Sequence, residues 1–119
     1  MTDVENIKGL VDISGFGSGY EETCQNMLQA GYNWLVKEQK KRKIELSAMT
    51  YRDVYGIFIP ISDNAKELSK VIVEASGNDC TGAMHQAVMS HLFYIWKYGV
   101  DKWKEDAKKR KKARAGGIT

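Results

Sequence analysis

Apolar residues recur at helical spacing in three stretches of the chain, and a fourth stretch is rich in β-branched and aromatic side chains. Between Tyr20 and Lys41, the residues Cys24, Met27, Leu28, Gly31 and Leu35 fall on one face of a helix. Glu21 and Glu22 suit the positive N-terminal end of that helix, and the run KEQKKRK suits its negative C-terminal end. The stretch SDNAKELSKVIVEASG opens on capping residues and closes on glycine, with Leu68, Val71, Ile72 and Ala75 as its buried stripe. A third helix is expected from Cys80 to Ala107, capped by Asn78 or Asp79. Its residues Ala83, Ala87, Leu92, Ile95, Trp96, Gly99, Val100 and Trp103 spread widely around the axis. A helix apolar on most sides is buried on more than one face, so this one is either central or packed against a second copy of the chain. TYRDVYGIFIPI, closed by Pro60, reads as one strand or a piece of a hairpin. VENIKGLVDI, at 4–13, fits a short helix or a short strand. The expected fold class is mainly α, with three principal helices and a short β element near 50–61; α+β is the alternative.

A chain of 119 residues fits one domain, expected over 1–107, with 108–119 as a basic tail that frays. Charge sharpens that division. Residues 102–119 hold eight basic and two acidic side chains, a net +6, whereas residues 1–101 hold ten basic and thirteen acidic, a net −3. Nucleic acid is thus a possible partner of the tail, through charge alone, because KKRKKAR has no interleaved aromatic residues on which bases could stack. It is not the favoured main function while the body is acidic. No apolar run reaches the roughly 20 residues of a membrane helix, so no membrane partner is expected. MTDVENIKG is polar and acidic, unlike a secretory signal. Cys24 and Cys80 then read as reduced thiols in a cytoplasmic protein. No metal is expected: there is no CxxC or HxxxH, and His85 and His91 lie about 120° apart around a helix.

The candidate chemistry gathers at two glycine-led helix starts, SGFGSGYEETCQNML and SGNDCTGAMHQAVM. Turns of this kind leave backbone N–H groups free at helix N-termini, where phosphate or carboxylate binds well. In the first, Gly15, Gly17 and Gly19 let a ligand approach the main chain, and Phe16 and Tyr20 can stack on a ring. The bland alternative is a turn with Phe16 as a core plug. The spacing is neither the dinucleotide fingerprint nor a phosphate loop. In the second, Gly82 costs a helix about 1 kcal/mol relative to alanine, which calls for a packing or functional reason. His85 lies one turn after Thr81 on the same side and can donate to a phosphate or read a base edge. The alternative is a partly buried histidine bonded to Asp79 or to a carbonyl. The expected ligand-binding set is Phe16, Gly17, Ser18, Gly19, Tyr20, Glu21, Gln25, Arg52, Asp79, Thr81, Gly82 and His85. Arg52 enters because its guanidinium can grip phosphate bidentately. No catalytic group and no cofactor is expected, although His85 with Glu21 keeps a small phosphoesterase open.

The stretches DISGFGSGYEETCQNML at 12–28, YGIFIPISDNAKEL at 55–68 and NDCTGAMHQAVMSHLFYIWKYG at 78–99 resemble a group of small phage-encoded proteins of unassigned function. That resemblance implies an accessory protein in a bacterial host cytosol and carries no catalytic residues with it. By analogy with phage inhibitors and sponges of nucleotide immune signals, it points to a non-catalytic binder of a small phosphate-bearing nucleotide, assembled as a homo-oligomer. The other expectation is a protein–protein inhibitor of a host enzyme, with YNWL and FYIWKYGVDKW as exposed aromatic anchors.

Overall fold

The structure, a computed structural model, describes residues 4–11, 20–39, 46, 49–52 and 57–116; for 39, 49–52, 57–58 and 110–116 only the backbone is described. The elements are α1 (Glu21–Gln39), β1 (Met49–Arg52), β2 (Ile57–Pro60), α2 (Asp63–Ala75), α3 (Gly82–Tyr98) and α4 (Val100–Gly116). The chain is mainly helical, with one short antiparallel hairpin.

The stripe on α1 is buried as its spacing predicts. Cys24, Met27, Leu28 and Leu35 are almost wholly inaccessible, and Tyr32 and Trp34 join them. Gly31 has a packing reason to be glycine. A Cβ there would sit 2.3 Å from Leu92 Cδ1 and 3.1 Å from Ile72 Cγ2, so α1 approaches α3 and α2 closely at this point. On α2, Ser62 is the N-cap and accepts from the Ala65 N–H at 3.1 Å. Ala65, Leu68 and Ile72 are its buried residues. The chain leaves α2 through Ser76, then turns with Gly77 (φ 65°) and Asn78 (φ 68°) both left-handed. Strands β1 and β2 pair with Met49 opposite Pro60 and Arg52 opposite Ile57. Pro60, which has no N–H, stands at the open end of the ladder. Strand β2 lies against α2 and α3.

Helix α3 is the centre of the fold, touching α1, α2, α4 and β2. This explains its wide apolar circumference largely within one chain: Met84, Val88, Met89, Leu92 and Ile95 face these neighbours.

Two expectations are corrected. The helix expected over 80–107 is two helices, broken at Gly99. Gly99 has φ 93° and ψ 154°, a backbone state that side chains disfavour. The break folds α4 back so that Trp103, 4 % exposed, enters the core. Its indole N–H donates to His91 Nδ1 at 3.1 Å. Helical backbone then continues to Gly116. The segment 4–11 is neither helix nor strand. It turns at Gly9 (φ 78°) and buries Ile7.

Candidate functional site

The entry to α3 is built by Thr81, the N-cap, rather than by the expected Asn78 or Asp79. Its hydroxyl accepts the Met84 N–H at 3.2 Å. A helix start leaves several N–H groups unpaired, and the cap satisfies one of them. Those of Gly82 and Ala83 have no partner among the described residues, and Thr81, Gly82 and Ala83 are all exposed. Asp79 is exposed just before them, its N–H donating to the Ser76 carbonyl at 3.3 Å.

His85 sits one turn further on. Its backbone N–H donates to the Thr81 carbonyl at 3.0 Å, and its Nε2 meets Ser69 Oγ of α2 at 2.6 Å. Burial pushes the imidazole below its ordinary range, so it is neutral at pH 7 and either donates to or accepts from the serine according to its tautomer. Neither the aspartate nor the carbonyl expected as partner takes this position. Ser69 was not foreseen as a site residue. Its one sequence signal is its place at the edge of the α2 stripe, one position after Leu68 and three before Ile72.

Cys80 and Cys24 flank the same region and are unbridged. Burial pushes both thiols up, and Cys80 is near enough to add to the rise at Cys24. Helices α1 and α3 pack against each other, with Gly31 of α1 against Leu92 of α3. Both thiols are protonated at neutral pH and are poor nucleophiles. Tyr20 and Glu21 are exposed at the start of α1. Phe16, Gly17, Ser18 and Gly19 lie outside the described residues, and so does the side chain of Arg52 in β1.

Gln25 has a clear occupation within the fold. Its Oε1 accepts from Gly9 N–H at 2.9 Å and its Nε2 donates to the Val11 carbonyl at 2.8 Å. One turn on, Gln29 repeats the pattern, accepting from Ile7 N–H at 2.7 Å and donating to the Glu5 carbonyl at 3.0 Å. Two amides on one face of α1 thus replace the strand partner that segment 4–11 lacks.

At the far end of α3, Tyr94 donates its hydroxyl to the Asp106 carboxylate, and Asp106 pairs with Lys102 at 3.3 Å. The Tyr94 hydroxyl first, then the lysine, holds the Asp106 carboxyl below its usual range. A cavity of about 180 Å³ opens between Val11, α3 and α4, with His91, Tyr94, Trp103 and Asp106 on its walls. The aromatic residues expected as exposed anchors divide. Tyr32, Trp34 and Trp103 are buried, Phe93, Tyr94 and Trp96 are half-buried, and Tyr98 is exposed. Among the described residues, no three His, Cys, Asp or Glu side chains gather into a metal-binding group, and no helix is long and apolar enough to cross a membrane. The chain matches no known family model, no curated protein and no solved structure.

Proposed function

We propose that the chain is a non-catalytic binding protein that holds a phosphate-bearing nucleotide at the entry to α3. The observation that carries this reading is the exposed first turn of α3. There the Gly82 and Ala83 N–H groups have no partner among the described residues. An anion meets the positive end of the helix and bare N–H donors, and the missing side chain at Gly82 lets it come close. A neutral His85, oriented by Ser69, supplies one directed hydrogen bond. The resemblance to phage accessory proteins gives such a binder a use, as a sink for a nucleotide signal.

The test is a thermal-shift panel of mono-, cyclic and cyclic oligonucleotides, followed by chromatography of the ligand released on heating. Ligand at a hundred times its Kd should raise stability by about 2.7 kcal/mol, and unchanged ligand should be recovered. The increment should shrink in Gly82→Val, where a branched side chain crowds the first turn. No shift with any nucleotide would end the proposal.

The Ser69–His85 contact favours a second reading. A serine hydroxyl 2.6 Å from a neutral imidazole is the start of a nucleophile–base pair, as a small esterase or phosphoesterase would need. Altered ligand recovered from wild type, but intact ligand from Ser69→Ala, would replace the binder with this enzyme.

A further inference from the structure

We propose that the C-terminal end of α3, together with α4, is a binding surface for single-stranded nucleic acid. Bases would stack on the aromatic face of α3, and the phosphate backbone would follow α4.

An open groove of about 660 Å³ is lined by Ser90, Phe93, Tyr94, Trp96, Lys97 and Tyr98. Tyr98 is 55 % exposed on the wall of this groove. It leans on Tyr94 with ring centroids 4.8 Å apart and planes tilted by 49°. Lys97 Nζ lies 5.4 Å from the Tyr98 centroid, so a cation already sits against the ring.

Helix α4 lines the neighbouring cavity, which shares two wall residues with this groove. Tyr94 and Ser90 line both the groove and the smaller cavity against α4, and the Tyr94 hydroxyl is bonded to Asp106. Over Val100–Gly116, α4 carries eight basic and three acidic residues, a net +5. Two of those acids, Asp106 and Glu105, are paired with Lys102 and Lys109. Lys108 and Lys109 are exposed on α4, directly after Ala107 of the neighbouring cavity.

Exposed π-faces beside a row of positive charge are the two requirements for binding unpaired strands. The sequence KKRKKAR offers the charge without the rings; the turn at Gly99 joins the aromatic face of α3 to the helix that carries that sequence. A duplex hides the faces of its bases, whereas single strands present them next to their phosphates. Single strands fit both features. This surface is about 25 Å along α3 from the Thr81 entry, at 1.5 Å per residue, and does not depend on the nucleotide reading there.

Fluorescence anisotropy of full-length protein with labelled oligo(dT) of about 15 nucleotides, from 50 to 200 mM salt, tests the proposal. Wild type should bind with an affinity that falls as salt rises. Tyr98→Ala removes an exposed ring and leaves the core untouched, so it should weaken binding about tenfold at every salt concentration. Tyr98→Trp should restore it. Lys108→Gln with Lys109→Gln should instead flatten the salt dependence, by about 0.7 in slope for each phosphate left without its cation. Absence of binding at 50 mM salt would overturn the proposal. So would equal affinity of wild type and Tyr98→Ala, which would leave charge alone. So would equal competition by an oligoglutamate of the same charge, which would point to an acidic protein. Dispersal of a wild-type oligomer by Tyr98→Ala would reassign the face to self-association.

Discussion

At the scale of single residues, the fold places small or polar side chains where packing leaves no alternative. Gly31 is the clearest case. Alanine would gain about 1 kcal/mol of helix propensity, but its Cβ would meet Leu92 and Ile72, both fully buried and unable to retreat into solvent. Overpacking of this kind costs about 1–3 kcal/mol, so Gly31→Ala should lower stability in urea unfolding by a net amount of up to about 2 kcal/mol. His85 makes a second prediction, in pH. Burial lowers its pKa in the folded protein below the value of about 6.5 in the unfolded chain. Between those two values the unfolded state binds more protons, so stability rises with pH through that window. The contribution is full above about pH 6.5 and is lost as pH falls through the lowered value. Melting temperatures from pH 7.5 down to pH 5 should therefore decline more in wild type than in His85→Gln, which keeps a polar partner for Ser69 and cannot charge. Equal declines would mean that carboxylates, not this imidazole, set the acid limit.

At the scale of elements, what could be foreseen followed from periodicity, and what could not depended on distant partners. Helices α1 and α2 were legible because one apolar stripe on each faces one core. The hairpin near 50–61 was legible from β-branched and aromatic residues closed by Pro60. The break at Gly99 was not, because apolar residues keep helical spacing on both sides of it. Gly99 permits the bend through its positive φ, and the burial of Trp103 against His91 holds it. Segment 4–11 was ambiguous for a related reason. Its backbone groups are satisfied by side chains of α1, a solution that leaves no periodic trace in the segment itself. At the candidate site, the local pair Thr81 and His85 was visible from its spacing, whereas Ser69 reaches His85 across sixteen residues. The side-chain clamp carries its own prediction. Gln25→Ala would strand the Gly9 N–H and the Val11 carbonyl, each of which costs about 1–3 kcal/mol when it is buried without a partner. Because this region is only partly buried, water offsets some of that, and a loss of about 1–2 kcal/mol is expected. Amide exchange at Gly9 should quicken by a matching factor while α2 is unchanged.

At the scale of the whole molecule, the packing is unequal. Among the described residues, helices α1, α2 and α3, with Ile7 and Leu46, supply all but one of the buried apolar side chains, and α4 supplies only Trp103. Beside that ring Val100 packs half-buried against the core, and the polar contacts of α4 are Trp103 to His91, Tyr94 to Asp106, and Lys104 to Glu5 of the N-terminal segment. Surface ion pairs of the last kind contribute little each. The docking of a +5 helix onto an acidic body thus rests mainly on one buried indole. Truncating a buried tryptophan typically costs about 3–5 kcal/mol, a large share of the roughly 5–15 kcal/mol available to a domain. Trp103→Ala should therefore release α4 without unfolding the rest. Hydrogen exchange should show residues 100–109 losing protection while the α1 and α3 amides beneath the core keep theirs. Trp103→Phe should retain most of the docking and lose only the bond to His91. If α1 loses protection together with α4, the bend at Gly99 belongs to one cooperative unit, and α4 is as much a part of the core's stability as the three helices it covers.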